Sequence, residues 1–233
     1  MNKSRMRNIV IVGVSEGLGS SMVARYLESG CRILISARNE EKLVRIAEKM
    51  KGGGNLIYTP GDVSSREGAD AVLKTAKQRL GTVDALVIQV GGYGEDSIKD
   101  YGMLDSMLEN HVRIPITVVS SALAVMDRGS SILLVSSAET LGYPEPNKMS
   151  YTIAKSSLNR LTESLASQLL SSGIRVNAVA PSYIHGDAGK YVLGASGNPP
   201  DLIAKVVDWI TGDDSTLING AIIPVDGGHR FMR

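Results

Sequence analysis

Short runs of β-branched and aliphatic residues recur along the chain, at residues 8–12 (NIVIV), 32–36 (RILIS), 55–59 (NLIYT), 84–88 (DALVI), 131–136 (SILLVS), 174–179 (IRVNAV) and 221–225 (AIIPV). Between them lie longer stretches of helical period, at about 18–29, 39–50, 66–80, 103–127, 151–171 and 201–211. This alternation predicts repeated βα units around a parallel sheet. The runs are apolar at consecutive positions, so both faces of each strand must be covered. With right-handed crossovers, the prediction is a doubly wound Rossmann-type α/β fold of seven parallel strands with helices on both faces. No linker or internal repeat interrupts the pattern, and 233 residues fit one domain spanning 1–233. One stretch stands apart. HGDAGKYVLGASGNPP, residues 185–200, is glycine-rich and ends in two prolines, and it reads as a surface loop: either a substrate loop or an insertion without function.

Hydrophobic residues make up 43% of the chain and charged residues 21%, enough apolar material for a sizeable core. A formal net charge of +1, without basic or acidic runs, excludes the electrostatic footprint of a nucleic-acid or membrane-surface binder. Cys31 is the only cysteine, which excludes an internal disulfide framework. The apolar stretch after MNKSRMRN is too short for a signal-peptide core or a membrane span, so the expected location is the cytoplasm. His111, His185 and His229 lie far apart, and no metal site is expected.

The segment GVSEGLG, residues 13–19, follows the first predicted strand directly and opens the first predicted helix. Gly13, Gly17 and Gly19 allow a tight turn and close approach of a pyrophosphate, and the helix N-terminus offers free N–H groups and a favourable dipole. Further on, YTIAK places Tyr151 and Lys155 four residues apart, on one face of a helix that opens after the fifth strand. Chance alone gives roughly 0.4 such pairs in a chain of this composition, so position carries the argument. A solvated pair at a helix start is the other reading. Ser137 ends the preceding strand, where a doubly wound sheet presents its reactive groups.

The Gly-x-x-x-Gly-x-Gly spacing, an Asp after the third strand (Asp62) and the Tyr-x-x-x-Lys pair together resemble the short-chain dehydrogenase/reductase family, and the resemblance runs to VDGG at residues 225–228. It implies a carbonyl or alcohol substrate, hydride transfer with a nicotinamide cofactor, and a catalytic group of Ser137, Tyr151 and Lys155. Tyr151 would move the proton and Ser137 would bind the substrate oxygen. Lys155 would lower the tyrosine pKa and hold the nicotinamide ribose. The implied cofactor site comprises Gly13, Ser15, Glu16, Gly17, Leu18, Gly19, Arg38, Asp62, Val63, Gly91, Tyr151, Lys155, Pro181 and Ile184. Ala37 and Arg38 at the end of the second strand favour NADP(H) over NAD, whereas Glu16 points the other way. A homotetramer is expected, because family members commonly assemble through their two long helices and C-terminal segment.

Several positions depart from the family pattern. The usual Asn of the long fourth helix is replaced by His111, with Asn110 one residue earlier. Pro115 has no N–H for the carbonyl of residue 111, so that carbonyl is expected to be free for a water relay. The loop after the fourth strand reads Ile88-Gln89-Val90-Gly91, and Val12 precedes the first glycine. A matched loss of donor and acceptor would leave nothing unsatisfied there. Ser182 and Gly186 replace a Gly and a Thr near the cofactor. The substrate is left open among a 3-oxoacyl thioester, a sugar or polyol, and other carbonyls, and Tyr93, Tyr143, Tyr183 and the 185–200 loop are expected near it. A non-catalytic NADP(H)-binding sensor and, last, a nucleotide-sugar epimerase are the competing functions.

Overall fold

The computed structural model of the chain describes residues 5–142 and 145–232. One sheet holds strands β1 (Asn8–Val12), β2 (Arg32–Ala37), β3 (Leu56–Pro60), β4 (Ala85–Ile88), β5 (Ser131–Val135) and β6 (Arg175–Pro181). Two short strands follow, β7 (Tyr183–Ile184) and β8 (Gly197–Asn198), and then β9 (Ile222–Val225), which completes the main sheet. The order across that sheet is β3-β2-β1-β4-β5-β6-β9, and every pairing is parallel. The direction of winding reverses between β1 and β4, which is where such sheets open a crevice at their carboxyl ends.

Successive residues of a strand point to opposite faces, and the chain fills both with aliphatic side chains. Val10, Val12, Leu34, Leu86, Ile88, Ile132 and Leu134 face one core, closed by α3 (Arg66–Leu80), α5 (Ile114–Ala122) and α6 (Met149–Gln168). Ile9, Ile11, Ile33, Ile35, Val87 and Leu133 face the other, closed by α1 (Leu18–Glu28), α2 (Glu40–Met50) and α7 (Pro200–Thr211). Each fully buried Val, Leu or Ile stabilises the fold by about 1.5–3 kcal/mol. The helices begin where the sequence supplies caps: Asn39 accepts from the Lys42 N–H at 2.9 Å, and Ser65 from the Gly68 N–H at 3.1 Å. Among the described residues, no helix is long and apolar enough to cross a membrane.

Two elements differ from the periodicity. The helix expected over 103–127 is broken into α4 (Leu104–Leu108), a π turn over Glu109–Arg113 and α5. Pro115 cannot continue the α-helical ladder, and the Ile114 N–H reaches back five residues to the Glu109 carbonyl. Residues 185–200 carry structure of their own. β7 pairs with β8 across the stretch, and residues 188–190 form a 3-10 turn.

Candidate active site

The loop after β1 is tied to the end of β2: the Gly13 and Val14 N–H groups both donate to the Ser36 carbonyl, at 2.8 and 3.1 Å. Gly13 has φ +78°, and a Cβ there would stand 2.6 Å from the Val90 nitrogen, so position and conformation both require glycine. Gly17, φ +79°, opens α1 without a side-chain cap, and a Cβ there would meet open space. An uncapped helix start facing a cleft is suited to a phosphate.

That cleft, of about 890 Å³, runs along the carboxyl ends of β1, β2 and β4. Gly13, Ser15, Glu16, Arg38, Asp62, Val63, Gly91, Asn110, His111, Lys155 and Ile184 line it. Leu18 and Gly19 are buried at the start of α1 and Pro181 at the end of β6. The Asp62 carboxylate is exposed and accepts from the Ser64 N–H at 3.1 Å, which holds its pKa below the ordinary value. Lys42 and Arg45 of α2 also line the cleft, beside Arg38. Glu16 lies 3.6 Å from Arg45, so its charge faces a cation.

Tyr151 and Lys155 lie on the first two turns of α6, whose start is fixed by Asp96 accepting from the Ser150 N–H at 2.9 Å. The tyrosine ring packs edge-on against Tyr93, 5.3 Å between centroids, and against His111, 5.8 Å. Burial raises the Tyr151 pKa above that of a free phenol and outweighs the opposing pull of the nearby Ser137 hydroxyl. The Lys155 ammonium donates to the Val135 carbonyl at 2.7 Å and stands 5.8 Å from the tyrosine ring centre, and burial pushes its pKa down to about 7. The expectation of a lowered tyrosine pKa is therefore corrected: the net shift is upward, because burial outweighs the neighbouring cation. A half-protonated lysine bound elsewhere exerts less pull on the phenol than burial does.

Two further expectations change. Ser137 does not end β5; it lies two residues beyond Val135, caps a 3-10 turn and accepts from the Glu139 N–H at 3.3 Å. The β4 loop is not a matched apolar loss, because Gln89 links the two loops through its N–H to the Val12 carbonyl, 2.8 Å, and its amide to the Ser15 hydroxyl, 3.0 Å. His111 is 1% exposed and its Nε2 donates to the Gly92 carbonyl at 3.1 Å. Burial, followed by the nearby Lys155 charge, pushes its pKa down to about 3, and the imidazole is a neutral tie between the π turn and the β4 loop. Ser182 donates to Asn198 Oδ1 at 2.6 Å, which binds β6 to β8. Tyr143 lies outside the described residues.

Sequence reasoning also missed a second cavity, about 110 Å³, between the turn after β5 and the segments around Tyr183 and Arg230. Glu139, Glu145, Ser182, Tyr183, His229 and Arg230 contribute to its lining. Lys148, 3% exposed, contacts Glu139, Glu145 and Tyr183 of that lining. The available signals were Glu139 two residues after Ser137 and a lysine three residues before Tyr151.

Comparison with known proteins agrees with this geometry. The family model described as short chain dehydrogenase matches residues 7–193. Glucose 1-dehydrogenase of Gluconobacter oxydans (strain 621H) is 26% identical over 243 residues, which cover 95% of this chain and 91% of that protein. Glucose 1-dehydrogenase 2 of Bacillus subtilis (strain 168) is 24% identical over 246 residues, covering 95% and 94%. The short-chain dehydrogenase/reductase from Serratia marcescens BCRC 10948 superposes with a TM-score of 0.87 at 24% identity, over 96% of this chain and 98% of that one. With the glycine turn, the sheet order and a match over most of its length in agreement, the chain belongs to the short-chain dehydrogenase family of oxidoreductases, acting on CH–OH groups with a nicotinamide cofactor.

Proposed function

We propose that the chain is an NADP(H)-dependent oxidoreductase that interconverts a carbonyl and a secondary alcohol. The placement of the Tyr151 hydroxyl near Ser137, one helical turn from buried Lys155, carries this reading. When bound, the reduced cofactor supplies a hydride from its nicotinamide C4. The raised pKa keeps Tyr151 a protonated phenol at neutral pH, the state that reduction needs. Tyr151 gives its proton to the carbonyl oxygen while Ser137 donates a hydrogen bond to it. The Lys155 ammonium stabilises the remaining phenolate until solvent returns a proton. The uncapped start of α1 accommodates the pyrophosphate, and Arg38, Lys42 and Arg45 favour the additional phosphate of NADP(H).

The names of the two glucose dehydrogenase relatives favour a sugar or polyol over a 3-oxoacyl thioester. Exposed Ile116 and Leu123 near α5 and Ile153 on α6 support assembly as a homotetramer. A screen of carbonyls and alcohols, followed by nicotinamide absorbance, tests the activity. NADPH should bind at least about tenfold more tightly than NADH, about 1.4 kcal/mol, and Arg38→Ala should erase most of that difference. Tighter binding of NADH would overturn the cofactor assignment.

A further inference from the structure

Beside the Ser137 and Tyr151 hydroxyls lies a cluster of charges that hydride transfer does not require. The Lys148 ammonium lies 3.1 Å from Glu139 Oε1 and 2.9 Å from Glu145 Oε2, and it donates to the Tyr183 hydroxyl at 2.9 Å. Three segments meet on this one cation: the turn after β5, the approach to α6, and β7. Removing a cation and carboxylates from water has a desolvation cost that apolar side chains would avoid, so packing alone does not account for the cluster.

Glu139 is placed by the catalytic serine itself, since its N–H donates to Ser137 Oγ at 3.3 Å. Lys148 precedes the first turn of α6, which carries Tyr151, so the cluster adjoins both Ser137 and the proposed proton-transfer group. Lys148 takes one oxygen of Glu139, and Glu139 lines the small cavity. Across that cavity Arg230 is already engaged, 3.0 Å from Asp226. An ionised carboxylate only accepts hydrogen bonds, so its natural ligand is a donor, such as a second hydroxyl on the substrate.

We propose that Glu139, held in place by Lys148, accepts a hydrogen bond from a hydroxyl vicinal to the reacting carbon, so that the substrate class is a small polyol or sugar and its oxidised partner. The inference rests on the reading of Ser137 and Tyr151 given above. Lys148 is a positioning residue: it fixes one oxygen of Glu139 and anchors the Tyr183 hydroxyl on the cavity wall. A substrate lacking the second hydroxyl leaves a desolvated carboxylate oxygen unpaired, and sites built on polar contacts discriminate strongly against such analogues.

Matched substrates test this. The unmodified protein should oxidise 2,3-butanediol with kcat/KM at least about tenfold above that for 2-butanol, and reduce acetoin in preference to 2-butanone by a similar factor. Glu139→Leu should bring both ratios to within about twofold, Glu139→Gln should keep part of the preference, and Lys148→Met should weaken it. NADPH titrations should be unchanged in all three. Equal use of the paired substrates by the unmodified protein, or full preference retained in Glu139→Leu, overturns the proposal while leaving the catalytic reading intact. Should Glu139→Leu fail to fold, the unmodified protein and Glu139→Gln still decide. A separate arm titrates acetoin and 2-butanone into NADP-loaded Tyr151→Phe. Preference for acetoin there, with no turnover by the unmodified protein, supports the recognition and overturns the catalytic reading instead.

Discussion

Two buried lysines flank the candidate reaction centre on one helix, Lys148 at the entrance of α6 and Lys155 on its second turn, and they differ in charge state. Burial works against the charge of both. Around Lys148, hydrogen bonds donated to Tyr183, Glu145 and Glu139 outweigh burial and raise its pKa above that of an ordinary lysine. Around Lys155, the bond found is to the Val135 carbonyl, burial wins, and the pKa falls to about 7. The difference lies in the partners, not in depth. A lysine facing carboxylates stays a cation at every working pH and serves to hold geometry. A lysine facing a carbonyl is ready to gain or lose a proton, and further hydrogen-bond acceptors would secure its charge.

The largest expected effect separates the two ends of the Tyr-x-x-x-Lys pair. Tyr151→Phe removes one oxygen and leaves the ring packing against Tyr93 and His111, so NADPH affinity should hold while turnover falls by about a hundredfold or more. Lys155→Met removes both a cation behind the phenol and a contact for the cofactor, so turnover and NADPH affinity should fall together. Steady-state rates and NADPH titrations on both variants measure this. Unchanged turnover in Tyr151→Phe would end the assignment of that residue.

The second effect concerns Lys148. Replacing it by Met leaves Glu139 and Glu145 without their shared cation, and a buried pair broken on one side costs several kcal/mol. Both carboxylates retain some solvent, with side-chain exposures of 18% and 39%, so the expected loss is smaller, about 2 kcal/mol. Urea unfolding of Lys148→Met, Glu139→Leu and the double variant would measure it. The double variant should lose less than the sum of the singles, because the second change removes a group already left unpaired. Strict additivity would mean that Lys148 and Glu139 do not support each other.

These residues also mark how far the sequence could be read. Consecutive apolar runs such as NIVIV and RILIS located the strands, because a strand buried on both faces has few alternatives. The glycine turn and the Tyr151–Lys155 pair were legible because each is a fixed local spacing within one loop or one helix. Lys148 was not, since its partners come from positions 139, 145 and 183 and only the folded chain brings them together. The link from Gln89 to Ser15 was hidden for the same reason. The i,i+4 spacing correctly put Lys155 near Tyr151, but it carried no information about burial, and burial sets both protonation states. Pro115 signalled an irregularity in the long helix without specifying a π turn, because a missing N–H can be accommodated by more than one rearrangement.

The smallest effect is the most direct test of the contrast between the two lysines. In the unfolded chain Lys155 keeps its proton up to the ordinary lysine value of 10.5, whereas in the folded chain it releases it near 7. Between those values the unfolded state binds more protons, so the Lys155 contribution to stability rises with pH. With the folded group half-protonated near pH 7, one further pH unit should add about 1 kcal/mol, since a full proton difference corresponds to about 1.4 kcal/mol per unit. Lys148 has the opposite sign. Its raised folded value means that its contribution is fully present below the ordinary lysine pKa and constant across the same interval. Urea midpoints at pH 7 and 8, compared between the unmodified protein and each Lys→Met variant, isolate the two terms. Subtracting Lys155→Met should reveal a gain of about 1 kcal/mol over that interval, and subtracting Lys148→Met should reveal none. A flat difference for Lys155 would show that its ammonium is as well compensated as that of Lys148, and the distinction drawn from their partners would fail.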